Sequence, residues 1–503
     1  MQITRQPPVR ISLEPSNHPY LSGPWTPVHE EVDVAELEVI EGGIPADIDG
    51  IYLRNTENPV HQPLGRHHPF DGDAMIHQVS ITGGKASYRN RFVRTHCFEA
   101  EQIAGGALWG GLMDPDGTSK RPGFGAHGGL KDTASTDIIV HAGTALATLY
   151  QCGEAWQLDP ITLENLGKAS WGPLDGVSAH PKVDEETGEL MFFNYSKHAP
   201  YMHYGVVDRA GKLVHYVPIS LPGPRLPHDM AITKNWSILN DMPLFWDTDL
   251  LDRNIHAARL HEGVPTRFAL IPRHGQPEEI RWFEADPTYV LHWTNAWEET
   301  VDGEDWVVLE GYYEDQPMPE PIEEAGQYGQ MMAYVDINSF QAKLHRWRFN
   351  LTTGVCHEER LSDRFVEFGM VNPRYYSKKS RYVWSATGHP GWFLFNGFVR
   401  QDTATGGEQV YQLPKGIYAS EGPIVPRKGG SEEDDAYLVT FLIDENSGTS
   451  ELAILDASDI AKGPFCRARL PHKISSGVHA TWVEHAQLKS DAAFHAEKAA
   501  AIA

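Results

Sequence analysis

The nine residues from Leu291 to Glu299 read LHWTNAWEE, with a histidine, an asparagine, two tryptophans and two glutamates in close succession. An ordinary half-buried strand alternates apolar and polar residues and ends in a turn. This stretch instead collects polar groups that are costly to bury without partners. We therefore predict that it forms one wall of a metal site, with His292 as the ligand.

Three other histidines lie in compact segments of the same character. They are His180 in SAHP (178–181), His228 in PHDM (227–230) and His479 in GVHATW (477–482). Their wide separation differs from the short local spacing of ligands in a zinc finger or on an HExxH helix. Because the chain has 25 histidines, one alone would mean little. Together, the four predict a site where distant strands converge, as at the axis of a closed β structure.

The ligand type narrows the choice of metal. Imidazole suits iron, zinc, copper and nickel. Four imidazoles would fill a tetrahedral zinc site, whereas octahedral Fe(II) would keep two positions open. A catalytic site of this kind therefore favours iron. Glu367 in VEFG and Glu421 in ASEGP are candidate carboxylates for orienting the histidine rings through their other nitrogen, although either one alone also fits a solvated surface group.

Composition sets the broad class of the protein. The 503-residue chain carries a net charge of −26, which argues against nucleic acid or an anionic membrane surface as a partner. Its four cysteines form no CxxC pair, so we expect a reducing, cytoplasmic compartment. We expect neither a secretory signal nor a transmembrane segment, because there is no apolar leader and no run of 18 apolar residues.

Many short strands separated by turns predict an all-β fold, which could be a sandwich, a barrel or a propeller. No clean repeat of 40–50 residues selects among them. We expect residues 1–35 to form an irregular N-terminal arm and residues 36–483 a single catalytic β domain. The Ala-rich tail, residues 484–503, is either helical or disordered.

A series of short motifs between about Asn17 and Val483 resembles the carotenoid cleavage oxygenase family, which includes the lignostilbene dioxygenases. In chain order they are NHPYL (17–21), GIP (43–45), YLRN (52–55), FDGDAMIH (70–77), AHPKVD (179–184), HDMAIT (228–233), NAWE (295–298), EEDDAY (432–437) and HATW (479–482). The resemblance implies a seven-bladed β-propeller with a loop dome over an axial metal site. It also implies that His180, His228, His292 and His479 bind Fe(II), and that O2 cleaves a C=C bond to give two carbonyl products.

The resemblance also implies three supporting glutamates, of which this chain keeps two, Glu367 and Glu421. At the third place, after the predicted strand Ala145 to Tyr150, it has Gln151. Glutamine can accept a hydrogen bond from imidazole but adds no charge. We therefore expect the iron to be slightly more electropositive and activity to be retained.

The substrate implied by the resemblance is an apocarotenoid or an aryl-alkene such as a stilbenoid or phenylpropene. Members that cleave phenolic alkenes tend to have a lysine where this chain has Tyr150, and a tyrosine in the loop where it reads LWGG (108–111). The absence of both residues weakens the case for a phenolic substrate. Other segments, however, look closer to those of the bacterial members that act on aromatic alkenes. Tyr150 and Trp109 are candidate substrate contacts. The segment ALWGGLM (107–113) is an apolar tunnel lip, a shallow peripheral membrane contact or ordinary loop packing.

Other functions stay open at this point. The same scaffold could act as an isomerase or a monooxygenase. A metal-free propeller could act as a binding module, but that alternative would be favoured by a missing histidine ligand, and none is missing. A propeller lactonase would use oxygen-rich Ca2+ ligation, which four histidines oppose.

Overall fold

The computed structural model describes residues 1–115, 117–123, 130–251 and 258–502. Its architecture is mostly β, with many small antiparallel sheets, which confirms the predicted fold class at that level. Two-residue turns close several hairpins, as the right-handed twist of paired strands favours. In three of them, Gly83-Gly84, Ala142-Gly143 and Asp302-Gly303, both residues have φ between 51° and 82°.

Four of the sheets each contain four antiparallel strands drawn from one continuous part of the chain. In order of pairing they are Asn165–Lys168, Trp156–Leu158, Thr144–Thr148 and Asp137–His141; Lys182–Val183, Leu190–Tyr195, Tyr201–Val207 and Leu213–Ser220; Ala231–Ile232, Trp236–Asp241, Thr266–Pro272 and Arg281–Ala285; and Trp293–Val301, Glu304–Glu314, Ala342–Asn350 and Cys356–Phe365. Leu244–Trp246 and Ala258–Leu260 form a separate two-stranded ribbon.

Two larger sheets bring the ends of the chain together. The six-stranded sheet has the order Ile3–Arg5, Val32–Val34, Lys85–Phe92, Ala74–Thr82, Gly50–Glu57 and Ala480–Glu484. The ten-stranded sheet has the order Glu367–Met370, Tyr382–Gly388, Phe395–Asp402, Ile417–Ala419, Ala436–Asp444, Thr449–Asp456, Pro464–Arg469 and Glu38–Glu41, with Gly407–Gln412 beside Phe395–Asp402 and Ile424–Pro426 beside Ala436–Asp444. Each sheet therefore includes a strand from the opposite end of the chain.

The hydrophobic core lies between successive sheets. The strand Leu190–Tyr195 shows why, since all six of its residues are buried. Successive side chains of a strand point to opposite faces, so Leu190 and Phe192 pack on the preceding sheet while Met191 and Phe193 pack on the following one. Similar clusters join the other neighbouring sheets, and one of them joins the ten-stranded sheet to the six-stranded sheet. The sheets thus pack face to face in a series whose last member contacts the first.

The α-helices within the described residues are His96–Ala104, Thr248–Leu251, Gly329–Ala333, Ile337–Phe340 and His485–Ile502. The first is capped by the Thr95 hydroxyl, which accepts a hydrogen bond from the Phe98 backbone N–H at 3.0 Å. Among the described helices, none is both long and apolar enough to cross a membrane. The Ala-rich tail is helical from His485 to Ile502, and the N-terminal arm contributes the short strand Ile3–Arg5, which pairs with Val32–Val34.

Candidate metal centre

Each of the four predicted ligands lies one to three residues before a strand at the edge of a different sheet. His180 precedes Lys182–Val183, His228 precedes Ala231–Ile232, His292 precedes Trp293–Val301 and His479 precedes Ala480–Glu484. The ends of four edge strands therefore carry the imidazoles into one central space. This placement explains why residues so far apart in the sequence can form one site.

The four imidazoles meet closely. One nitrogen of each lies within 4.8 Å of the corresponding nitrogens of the other three. The ring centroids of five of the pairs are between 4.5 and 5.0 Å apart. Three of the rings are buried and that of His228 is half-buried. The structure thus brings all four sequence-predicted ligands together.

The orientation of the ring nitrogens fits a metal ion. The Nε2 atoms of His180 and His228 lie 3.2 Å apart, and His292 Nε2 is buried with no hydrogen-bond partner among the described residues. Two metal–nitrogen bonds of about 2.1 Å at a right angle would place their nitrogens ~3.0 Å apart. Buried polar atoms in proteins normally have a partner, and a cation at the centre would supply one to all four rings.

The two predicted carboxylates, Glu367 and Glu421, contact their histidines at the Nδ1 atom of the ring. Glu367 Oε2 lies 2.6 Å from His292 Nδ1, and Glu421 Oε1 lies 3.4 Å from His479 Nδ1. Each carboxylate also accepts backbone N–H groups: that of Phe368 at 2.5 Å for Glu367 and that of Ala480 at 2.6 Å for Glu421. These contacts turn the Nε2 atom of each ring toward the centre.

A third carboxylate, Asp137, was missed by the sequence analysis. Its Oδ2 accepts the His180 backbone N–H at 3.1 Å and lies 3.6 Å from His180 Nδ1. His180 has a φ of 63°, a left-handed conformation that costs of order 1 kcal/mol for a residue other than glycine. The contact with Asp137 holds that turn in place. In the sequence Asp137 is one of 68 acidic residues and stands in none of the motifs quoted above.

A buried ion pair ties two of the ligand-bearing segments together. Asp229, next to His228 in the sequence, accepts a hydrogen bond from Lys182 Nζ at 2.7 Å and one from the Trp293 backbone N–H at 2.9 Å. Lys182 lies two residues after His180. The positions of three of the histidines are therefore coupled through one carboxylate. Both residues stand in the quoted motifs, but their pairing depends on the fold.

Burial controls the charge of the cluster. It lowers the pKa of His180, His228 and His292 well below the usual value, so these rings are neutral and offer lone pairs. Burial also acts on His479, but the Glu421 carboxylate and its hydrogen bond outweigh it and raise the pKa of this ring. Burial likewise raises the pKa of the Glu367 carboxyl, to about 8. A divalent cation would favour neutral imidazole and ionised carboxyl groups.

Two cavities meet the histidine cluster. The one that we call the small cavity has a volume of about 240 Å³ and touches His180, His292 and His479 together with the charged residues Asp137, Lys182, Glu185, Asp229 and Glu421. The one that we call the large cavity has a volume of about 1320 Å³ and reaches His228. Its walls there include Phe70, Tyr150, Tyr289 and Leu291. The large cavity is spacious enough for a small-molecule ligand.

The remaining sequence-predicted residues lie on or near the large cavity. The Tyr150 ring sits between Phe70 and His228, with centroid separations of 6.0 and 5.8 Å. Gln151 lines the same cavity, but within the described chain no hydrogen bond links it to any of the four histidines. Trp109 is buried beside Leu108 and donates its indole N–H to the Pro122 carbonyl at 3.1 Å. It borders a separate cavity of about 50 Å³ that also touches Tyr150.

Residues 25–484 match the family model described as "Retinal pigment epithelial membrane protein". Carotenoid 9,10(9',10')-cleavage dioxygenase 1 of Pisum sativum is 32% identical over 518 residues, which cover 95% of this chain and 92% of that protein. Isoeugenol monooxygenase of Pseudomonas nitroreducens is 32% identical over 496 residues, which cover 93% of this chain and 98% of that protein.

The fold also matches a solved structure. The crystal structure of Pseudomonas brassicacearum lignostilbene dioxygenase superposes with a TM-score of 0.80 at 27% sequence identity. The match covers 94% of this chain and 100% of that one. The residues matched by the family model, 25–484, include all four histidines of the cluster.

Proposed function

The chain belongs to the carotenoid cleavage oxygenase family, and on that basis we propose that it is an Fe(II)-dependent dioxygenase, an oxidoreductase that uses O2 to cleave one C=C bond of an apocarotenoid or aryl-alkene into two carbonyl products. The observation that carries this proposal is the convergence of four imidazoles, three of them buried, beside a cavity of about 1320 Å³. The relatives named above are described as acting on carotenoids, isoeugenol and lignostilbene, which supports a hydrophobic alkene as the substrate.

The finer architecture that we propose is a seven-bladed propeller with the metal on its axis and a dome of loops above it. Five sheets, the six-stranded one and the four with four strands each, would be single blades. The ten-stranded sheet would supply two more, divided at the short strand Ile417–Ala419. Seven inward-facing residues support this division, one at or just before the first strand of each blade: Asp137, His180, His228, His292, Glu367, Glu421 and His479. The blades would form one domain over residues 36–483.

We propose iron as the metal, with His180, His228, His292 and His479 as its ligands. Four neutral imidazoles would leave an octahedral ion two open positions. Bound Fe(II) would supply the redox-active centre that allows O2 to react with an alkene. Glu367 and Glu421 would keep their histidines in the tautomer that presents Nε2 to the metal and would make those rings more basic. Asp137 would hold the backbone turn at His180 by accepting the backbone N–H of that residue.

The residues of the large cavity would bind the alkene. Phe70, Tyr150 and Tyr289 offer aromatic faces for a flat conjugated chain or ring. Leu291 and the half-buried His228 place this wall directly beside the metal centre. Leu108 and Trp109 are buried while Gly110, Gly111 and Leu112 border the cavity, so we propose that residues 107–113 form a tunnel lip.

No disulfide joins the four cysteines, all of which are described, and this supports the predicted cytoplasmic location.

The test is O2 uptake by the Fe(II)-loaded protein with a hydroxystilbene, a phenylpropene and an 8'-apocarotenal supplied separately, with product aldehydes identified by mass spectrometry. We expect one mole of O2 consumed per mole of alkene cleaved, with label from 18O2 in the aldehydes. Zinc-loaded protein is the matched control, since zinc binds imidazole but has no redox chemistry. Iron-loaded protein that cleaves none of the three alkenes would overturn the proposal for these substrate classes.

A further inference from the structure

His68 borders the large cavity from the short turn that also carries Phe70. Its Nδ1 atom accepts the Phe70 backbone N–H at 3.2 Å, and its own backbone N–H donates to Asp71 Oδ2 at 2.8 Å. The Asp71 carboxylate also accepts the Leu112 backbone N–H at 2.9 Å, which ties the turn to the neighbouring part of the cavity wall. The protein alone therefore fixes both the backbone and the ring of His68.

These contacts determine where the imidazole of His68 carries its proton. Because Nδ1 accepts a backbone N–H, this nitrogen is unprotonated. Burial and the nearby His18 lower the pKa of His68 to about 3, so the ring is neutral at physiological pH. A neutral imidazole with an unprotonated Nδ1 carries its hydrogen on Nε2. His68 therefore offers one N–H donor on the side of the ring away from the Phe70 backbone.

The Nε2–H group of His68 is not used by the protein. Within the described residues, the hydrogen bonds of His68 are those of its backbone and of Nδ1, and none engages Nε2. Tyr289, elsewhere on the same wall, differs because its hydroxyl already donates to the Leu226 carbonyl at 2.6 Å. The half-buried His68 ring loses water when a ligand fills the cavity. A ligand without an acceptor would leave this donor unpaired, which is costly.

An aromatic wall connects His68 with the metal centre. The ring centroid of His68 lies 5.0 Å from that of Phe70, which lies 6.0 Å from that of Tyr150. Tyr150 in turn lies 5.8 Å from the ring of His228. Two aromatic rings thus separate the free N–H donor from a metal ligand. A conjugated ligand lying along them would place its polar end at His68 and a distant C=C bond at the metal.

We propose that the substrate is an alkene that carries a hydrogen-bond-accepting oxygen remote from the cleaved bond, and that the Nε2–H group of His68 donates to this oxygen. The inference rests on the proposed function, because it names the substrate class of the same site. A neutral N–H donor accommodates a carbonyl or hydroxyl oxygen but disfavours a hydrocarbon. In a polyene, the same contact determines which C=C bond reaches the metal.

Binding is measured first, on Fe(II)-loaded protein under argon, where no turnover occurs. The probes are 4-formylstilbene with 4-vinylstilbene, and an 8'-apocarotenal with the hydrocarbon in which a CH2 group replaces the aldehyde oxygen. The readout is quenching of tryptophan fluorescence. We expect the aldehyde to bind about 3- to 10-fold more tightly than its hydrocarbon partner, the range for a hydrogen bond between neutral groups. A preference within only one pair supports the inference and identifies the carbon skeleton that the cavity accepts.

Three variants locate the effect. His68→Asn keeps a side-chain oxygen that can accept the Phe70 backbone N–H, as asparagine does at helix N-termini, but its amide is too short to replace Nε2. Aldehyde and hydrocarbon should then bind within about twofold of each other. His68→Gln can place an amide N–H near the position of Nε2 and should retain part of the preference. The control is His357→Asn, at an exposed histidine on the sheet of His292, which should behave as wild type.

Cleavage in air supplies a readout that a purely structural role of His68 would not change. With the 8'-apocarotenal, the wild-type protein should give one main pair of carbonyl products, because the anchored oxygen fixes the position of the polyene. His68→Asn should give products of cleavage at more than one C=C bond. The same single pair of products in His68→Asn would contradict the anchoring role.

The outcomes separate the two proposals. Equal binding within both pairs by the wild-type protein, binding of none of the four compounds, or a preference that survives in His68→Asn overturns the inference, even if alkenes are cleaved. Absence of cleavage by iron-loaded protein that still prefers the aldehydes overturns the proposed reaction and leaves the His68 contact standing. If His68→Asn does not fold, the wild-type comparison and His68→Gln still decide.

Discussion

The small and large cavities approach the same four histidines but are built from different kinds of residue. Around the small cavity, charged side chains contact the ligands or their backbones, as Glu421 does for His479 and Asp137 for His180. The large cavity touches only one ligand, His228, and surrounds it with aromatic and aliphatic walls. We therefore expect residues of the small cavity to determine metal affinity and residues of the large cavity to determine substrate affinity. Variants on the two sides should therefore affect different measured quantities.

The largest effect should come from a ligand itself. His292→Ala removes one of four imidazoles and should reduce bound iron to background and turnover by more than about 100-fold, beyond the range of supporting residues. Iron content by elemental analysis, turnover and circular dichroism would be measured together, with the fold expected to persist. His357→Ala, an exposed histidine of the same sheet, is the matched control. Full activity of His292→Ala would show that the ligand assignment is wrong.

The next effect concerns the carboxylates that contact His292 and His479, two of the histidines lining the small cavity. Glu367→Gln removes the charge from a 2.6 Å contact with His292 and should weaken Fe(II) binding about 10- to 100-fold. Glu421→Gln should cost less, because its contact with His479 is 3.4 Å long. Competition with a metal chelator would measure both affinities, and Glu359→Gln, exposed on the sheet of His292, controls for lost surface charge. An unchanged Fe(II) affinity in both variants would show that these carboxylates do not support metal binding.

On the large-cavity side, Tyr150→Ala should raise KM about 10-fold through the loss of an aromatic wall while iron content stays at the wild-type level. Tyr150→Phe keeps the ring and should change KM much less. Steady-state kinetics with elemental analysis on the same samples would show whether the two quantities separate. Loss of iron in Tyr150→Ala would show that a residue of the large cavity also affects metal binding, which would contradict separate roles for the two cavities.

The smallest effect is expected for Gln151→Glu, which restores the residue type that the family resemblance implies. Gln151 borders the large cavity, and within the described chain no hydrogen bond links it to the four histidines, so we expect turnover to change by less than about threefold. Steady-state turnover at saturating substrate is the measurement. Complete loss of activity would reveal that the neutral amide has a specific role beside Tyr150.

How much the sequence could predict depended on the type of feature. Strand positions were accessible because turn residues separate the strands, as Asp302 and Gly303 do between Trp293–Val301 and Glu304–Glu314. The four histidines were accessible because each lies in an unusually dense segment. Short helices such as Gly329–Ala333 and Ile337–Phe340 were missed, since four or five residues are too few to show a helical period.

The supporting contacts were harder to predict for a different reason. Asp137, Lys182 and Asp229 are ordinary charged residues in the sequence, and the chain has 68 acidic residues. Their roles follow from pairings between sheets, such as the contact of Asp229 with Lys182 and with the backbone of Trp293.

Iron K-edge X-ray absorption of the Fe(II)-loaded protein would test the assignment of the metal and its ligands most directly. We predict nitrogen or oxygen neighbours at about 2.1 Å, with the multiple-scattering pattern of four imidazoles and the two remaining positions filled by light atoms. A spectrum with two or fewer imidazoles, or with a sulfur neighbour at about 2.3 Å, would contradict a site built from His180, His228, His292 and His479.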